Sequence, residues 1–292
     1  MLYRVCHITE YLYAQPVSQC YNLAHIIPRT SHRQKCMSTD ISVTPNVASK
    51  SIRDDYFGNR AYHFEIQRAH EKLILKATSK VETRAQLFNA KLDAGTTCED
   101  AIRQVKYGSE SDCIFAREFL LDSPMIKVNE ALRAYAAPLF TPKKPLLQAA
   151  LELTQKIFKE FTYCSEATTI ATPLDEVLKN KKGVCQDFAH LQIACLRALG
   201  IPAKYVSGYL ETLPPPGQEK LVGSDASHAW LSVFCPGQGW VEFDPTNNCI
   251  VGDQHILTAW GRDYYDVTPL KGVIFGGGES PVMNVSVDVA RL

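Results

Sequence analysis

The sequence predicts an α+β protein: an N-terminal antiparallel β-sandwich, then a unit in which a central helix packs on an antiparallel sheet. Three observations lead there. Strand follows strand from Met1 to about residue 84. Helical periodicity takes over between about residues 96 and 160. A helix apolar around most of its circumference, Cys185 to Leu199, is then followed by further strands. The expected division is residues 1–95 for the β domain and 96–292 for a helical lead-in plus the second unit, with the boundary near residues 85 to 110.

Taken in order, Met1-Leu2-Tyr3-Arg4-Val5-Cys6-His7-Ile8-Thr9-Glu10 interrupts its apolar residues with Arg4, His7 and Glu10, so it reads as a first strand and not as a leader. Cys36 to Thr44, Ala61 to Arg68 and Lys72 to Arg84 are further strands, with a turn at Phe57-Gly58-Asn59. Val128 to Ala137 and Leu146 to Phe161 are helices, the second following Pro142 and Pro145. Thr172-Pro173-Leu174-Asp175 predicts another helix, with Thr172 as N-cap and Pro173 at its first position, ending near Lys181-Lys182-Gly183. The central helix stops where Gly200 supplies a left-handed position and Pro202 forbids continuation. Strands follow at Ala203 to Glu211, Ser227 to Phe234 and Trp240 to Asp244. Pro214-Pro215-Pro216-Gly217 reads as a flap or a stiff linker. Gly276-Gly277-Gly278 lacks the Gly-Lys-Ser/Thr ending of a phosphate loop and reads as a turn before the last strand.

Composition excludes several functions. Lys plus Arg and Asp plus Glu are 31 each, so the formal net charge is zero and no basic field attracts nucleic acid or anionic lipid. A hydrophobic content of 46% with 21% charged residues is that of an ordinary globular protein. No apolar run approaches the length of a membrane span, so no membrane association and a cytoplasmic location are expected. The ten cysteines are scattered from Cys6 to Cys249 without a C-x-x-C pair, which predicts reduced thiols, most of them small buried hydrophobes.

Chemistry concentrates in three segments: Gly183-Val184-Cys185-Gln186-Asp187 at a helix start, Ser227-His228-Ala229-Trp230 in a strand, and Phe243-Asp244-Pro245-Thr246 ending the next. A thiol at a helix N-terminus, an imidazole to take its proton and a carboxylate to fix the imidazole's tautomer are what cysteine-based acyl transfer needs. Unpaired N–H groups and the helix dipole favour a thiolate and a developing oxyanion at Cys185, while the charge of Asp187 opposes the thiolate. Register tests whether base and acid meet. If Cys235 to Gly239 form the loop, Phe234 opposes Trp240 and Ser232 opposes Glu242. Ala229, Leu231, Val233, Val241 and Phe243 then share a wholly apolar face, and Asp244 lies one diagonal step from His228 on the other. A slip of one residue would bury Asp244 and Glu242 among aliphatics.

G-V-C-Q-D-F-A at 183–189, S-H-A-W at 227–230 and F-D-P-T at 243–246, in that order, resemble the transglutaminase-like superfamily. The flanking stretches Leu199 to Tyr209 and Gly261-Arg262-Asp263-Tyr264 resemble its bacterial two-domain members, which carry an N-terminal β domain. The resemblance implies a papain-like core with Cys185 as nucleophile, His228 as general base and then acid, and Asp244 orienting the imidazole, without metal or cofactor. It implies the Cys185 N–H as one oxyanion donor and Tyr163 as a candidate for a second, with Gln186 and Trp230 as cleft candidates. Animal calcium-dependent transglutaminases carry Trp directly after the nucleophile where this chain has Gln186, which turns the expectation from cross-linking toward hydrolysis.

Each residue also has a plainer reading: Asp244-Pro245-Thr246 as a turn, His228 as a half-buried strand histidine, Cys185 as an inert core thiol, Trp230 and Trp240 as packing, and Arg262 to Asp266 as a loop held by an Arg–Asp pair. A Cys-His-Asp metal site uses permissible ligand types but has no second sulfur pair. The expected function is a thiol amidase or peptidase acting on a peptide or protein through a thioester. An acyltransferase with an amine acceptor and a catalytically silent binding module are the alternatives, and oligomeric state is not indicated.

Overall fold

A computed structural model describes residues 1–84, 92–212 and 227–292. The first elements are β1 (Leu2–Ala24), β2 (Gln34–Thr44), β3 (Ser49–Asp54), β4 (Arg60–Ile66) and β5 (His70–Thr83). There follow α1 (Cys98–Tyr107), α2 (Ser111–Ala116), α3 (Glu130–Ala136), α4 (Leu146–Glu160), β6 (Thr162–Tyr163), α5 (Leu174–Asn180), β7 (Lys182–Gly183) and α6 (Cys185–Ala198). The chain ends with β8 (Ala203–Leu210), β9 (Ser227–Cys235), β10 (Gly239–Asp244), β11 (Cys249–Ile250), β12 (His255–Gly261), β13 (Leu270–Gly276) and β14 (Val282–Arg291). The Pro214 to Gly217 stretch lies outside the described residues.

The first sheet is built on β1, a 23-residue strand whose two halves have different neighbours. The first half pairs with β5 and β14, the second with β4 and β13, and the register shifts between Leu12 and Val17. β2 and β3 continue the sheet beyond β5 and β4. Side chains from both halves, among them Tyr13, Val17, Phe64, Ile66, Leu73 and Leu75, pack into one core. Sequence patterning assigned everything after residue 95 to the second unit, but β13 and β14 complete this first sheet. Alternation marks a strand without naming its partner.

The second sheet is antiparallel with order β11-β10-β9-β8-β12. Its hairpin takes the expected register, with Cys235 opposite Gly239, Phe234 opposite Trp240 and Ser232 opposite Glu242. The apolar face of Ala229, Leu231, Val233, Val241 and Phe243 packs against α4 and α6 in the main core. α6 is buried along most of its length, and Gly200, at φ +80°, closes it as predicted. α5 differs at its start from the sequence expectation. Pro173, at φ −64° and ψ 145°, is itself the N-cap, while the Thr172 hydroxyl accepts from the Thr169 N–H at 2.9 Å. Its other end falls where expected, closing on Lys181 in the left-handed region.

The first unit covers the other face of this sheet. β12 is its edge strand, and two side-chain amides from the first unit complete it. Gln34 exchanges two hydrogen bonds with the backbone of Leu257 at 2.7 and 2.8 Å, and Asn59 two with that of Trp260 at 2.8 and 2.9 Å. Tyr3, Val5 and Val81 pack with Tyr209 and Ile256 across the same joint. Among the described residues no helix is long and apolar enough to cross a membrane.

Candidate active site

Cys185 opens α6 and is half-buried, in a first turn whose N–H groups have no partner within the helix. The turn is held by Asp187, whose Oδ2 accepts from the Val184 N–H at 2.8 Å and from the Thr168 hydroxyl at 2.6 Å. Burial raises the Asp187 carboxyl above its ordinary value, and those bonds work against that rise. Gly183 is required here: a Cβ would sit 2.8 Å from that of Asp187 and prevent the carboxylate from folding back.

His228 stands at the start of β9 and Asp244 at the end of β10, and His228 Nε2 lies 2.7 Å from Asp244 Oδ2. Burial alone would lower the imidazole's pKa. Hydrogen bonds to Asp244 and to the Cys185 side chain, with the charges of both, outweigh it and push His228 up to about 10. Nε2 is taken by Asp244, which leaves Nδ1 to face the thiol. Asp244 is fully buried, and burial alone would raise it, but hydrogen bonds from His228 and His255 hold it well below the usual carboxylate range. Its Oδ1 accepts the Thr246 and Asn247 N–H groups at 2.9 and 3.1 Å. One chain of hydrogen bonds therefore runs from Cys185 through His228 to Asp244.

The remaining candidates separate. Tyr163, on β6 across from Gly183, is 58% exposed, and its phenol is pushed up by partial burial and by the charges of Cys185 and Asp187. Gln186 lines a cavity of about 720 Å³ bounded also by Asp187, His190, Pro173, Tyr264 and Tyr265. Trp230 is not in a cleft: it is fully buried, donates Nε1–H to Glu242 at 2.7 Å and packs 5.9 Å from the His228 ring. Strand parity put it on the face of His228, and the first unit then covered that face. Arg262 pairs with Asp266 through two bonds of 2.9 and 3.0 Å, as the plainer reading had it, while neighbouring Tyr264 does border the cavity. A cavity of similar volume, about 740 Å³, lies on the first unit between Arg29, Asp40, Lys50 and Arg60 with no imidazole in its lining.

Two residues escaped the sequence reading. Asn247 donates Nδ2–H to Asp244 Oδ2 at 2.7 Å, and His255 on β12 places Nε2 3.0 Å from the same oxygen. A polar residue at the start of an otherwise apolar strand, as at His228, was the available signal for His255. The ligand-type atoms of His228, Asp244 and His255 lie within 4.8 Å of one another, a donor set that transition metals accept. Direct hydrogen bonds of 2.7 and 3.0 Å account for the spacing without an ion.

Residues 133–245 match the family described as the transglutaminase-like superfamily, and residues 3–82 match the bacterial transglutaminase-like N-terminal region. An uncharacterized protein of Mycobacterium tuberculosis is 41% identical over 98% of this chain and 92% of its own length. A protein-glutamine gamma-glutamyltransferase of Pseudomonas aeruginosa is 40% identical over 73 residues, 25% of this chain and 11% of that protein. The structure of a protein from Cytophaga hutchinsonii described as a "putative cysteine protease" superposes with a TM-score of 0.76 at 23% identity, covering 99% of this chain and 90% of that one, which shows a shared fold.

Proposed function

The chain belongs to the transglutaminase-like superfamily, and from that premise we propose that it is a thiol-dependent amide or peptide bond hydrolase. The observation that carries the reading is the hydrogen-bonded run of Cys185, His228 and Asp244, with the thiol at the N-terminus of a buried helix. In the first step the Cys185 proton passes to His228 Nδ1 and the sulfur attacks the amide carbonyl carbon. The carbonyl oxygen takes the negative charge against the Cys185 N–H, with the Tyr163 hydroxyl as a second donor. His228 then returns the proton to the departing amine, leaving a thioester. Water, deprotonated by His228, attacks that thioester and releases the acid and the thiol. Asp244 keeps Nε2 protonated throughout and stabilises the imidazolium. The substrate in this reading is a peptide or protein, and no step calls for a metal or cofactor.

The local similarity to the Pseudomonas aeruginosa glutamyltransferase supports a second reading, in which an amine replaces water in the last step. Limiting iodoacetamide at about pH 6, followed by peptide mass mapping, tests what both share, since at that pH an ordinary thiol is almost wholly protonated. Cys98 and Cys235 are pushed up to about 11, and Cys195 and Cys249 to about 12, with burial the largest cause at each, so they should resist alkylation. Selective labelling of Cys185 that falls in His228→Ala is expected. Labelling of Cys185 no faster than of the half-buried Cys6, Cys36 and Cys164 would sink both chemical readings and favour a binding module. Product mass then decides between them, a free acid for hydrolysis and an amine adduct for transfer.

A further inference from the structure

We infer that His255 is a positioning residue that fixes the carboxylate of Asp244, and through it the tautomer and orientation of His228. The inference rests on the reading of Cys185, His228 and Asp244 as the reacting group and adds to it a residue that carries no motif.

An ionised carboxylate only accepts hydrogen bonds, so both imidazoles on Asp244 Oδ2 must present Nε2–H to it. For His228 this leaves Nδ1 as the nitrogen that exchanges a proton with Cys185. For His255 it leaves Nδ1 buried and without a hydrogen-bond partner among the described residues. That suits a lone pair, because an N–H there would be stranded. The two nitrogens of His255 thus differ in environment, and the difference holds its donor against Asp244.

The other donors to Asp244 are local. Thr246 and Asn247 lie in the turn that follows it, and they move with it if the turn moves. Among the described residues, and apart from His228 itself, His255 is the donor that comes from another strand, and β12 is anchored independently by the Gln34 and Asn59 amides. The sheet is shaped to let it reach. β8 runs between β12 and β9, and Gly208, opposite His228 and Leu257, has no side chain. A Cβ there would collide with the Trp230 indole and the Ile256 carbonyl oxygen. The Trp230 ring fills the opening, 5.9 Å from His228 and 5.2 Å edge-on from His255. A buried imidazole among these apolar neighbours would be costly without its bond to Asp244, and Leu or Met would fill the volume more cheaply if packing were its purpose.

Two near-isosteric replacements separate hydrogen bonding from packing: His255→Gln keeps an N–H donor at the place of Nε2–H, and His255→Met does not. The rate of Cys185 alkylation by iodoacetamide is measured in both, beside the rate of hydrolysis once a substrate is in hand. The bond goes to an ionised acceptor, so His255→Met is expected to lower the alkylation rate by about tenfold or more, and His255→Gln to recover most of it. Equal rates in the two variants, whether both high or both low, would overturn the inference. Should His255→Met not fold, the ring nitrogen chemical shifts of His255 in the parent protein decide instead. Protonated Nε2 with a bare Nδ1 supports the role, and the reverse tautomer excludes it. Failure of the broader reading looks different, because Cys185 would then lack selective alkylation in the parent protein, before any change at His255.

Discussion

Among the described residues Asp244 accepts five hydrogen bonds with one carboxylate, three on Oδ2 and two on Oδ1, about as many as its lone pairs can serve. That saturation makes Asp244→Asn a sharp test. Asparagine keeps the carbonyl oxygen for the two backbone N–H groups and turns its NH₂ toward both imidazoles. His228 must then leave Nε2 bare and carry its proton on Nδ1, without the negative charge that stabilises its protonated form. We expect alkylation of Cys185 and hydrolysis to fall by about three to four orders of magnitude with the fold intact, and a loss of less than tenfold would show that the carboxylate does not set the tautomer. Much of this site was legible residue by residue, because each member has a local signature: a thiol before an apolar helix, a histidine entering a strand, an acid leaving one. His255 was not, since its meaning depends on an atom 11 residues away on a strand that β12 does not touch. Trp230 was placed on the correct face, but sequence could not say what covers that face.

At the scale of elements, parity settled the β9–β10 register because only one pairing keeps Glu242 and Asp244 off the aliphatic side. The same parity puts Lys204 of β8 opposite Ser232, on the face the first unit covers. Its Nζ lies 4.2 Å from the Trp240 ring centre and 3.6 Å from that of Trp260. Burial pushes the ammonium down to about 7, with Glu242 opposing and Arg29 assisting. A folded pKa below the unfolded value of about 10.4 means that unfolding takes up a proton between the two, so stability rises with pH across roughly pH 7 to 10. Lys204→Met keeps the stem between the two indoles and cannot charge. It is expected to unfold with a stability about 1 to 3 kcal/mol higher at pH 7, the gap narrowing toward pH 10. Thermal melts of both proteins across that range check it, and parallel curves would mean that Lys204 keeps its proton in the folded state. α5 shows where local signals compete. Thr172 and Pro173 both suit a helix start, and the threonine's hydroxyl went to the Thr169 turn.

On the scale of the whole molecule, the chain starts and finishes in the same sheet: β14 lies along the first half of β1, and the second unit is inserted between β5 and β13. Strand partners so far apart in sequence leave no trace in alternation, so an antiparallel β domain was legible, while its forming one seven-stranded sheet that takes in β13 and β14 was not. The insertion ties both units to one stability. β12 carries His255 and is the edge of the second sheet, yet the groups that complete it belong to the first unit. Removing the Asn59 amide strands the Trp260 N–H and C=O in a covered joint and also deprives Asp55 and Arg29 of a partner. Asn59→Leu is therefore expected to cost about 2 to 4 kcal/mol. The loss should appear as an earlier but still single calorimetric transition, because the apolar seam of Tyr3, Val5, Tyr209, Ile256 and Val289 cannot separate without exposing both cores. Two resolved transitions in the parent protein would contradict this coupling. So would an Asn59→Leu variant in which only the first unit melts early while Cys185 keeps its alkylation rate, because the sheet that aligns acid and base would then stand without the domain clasped to its edge.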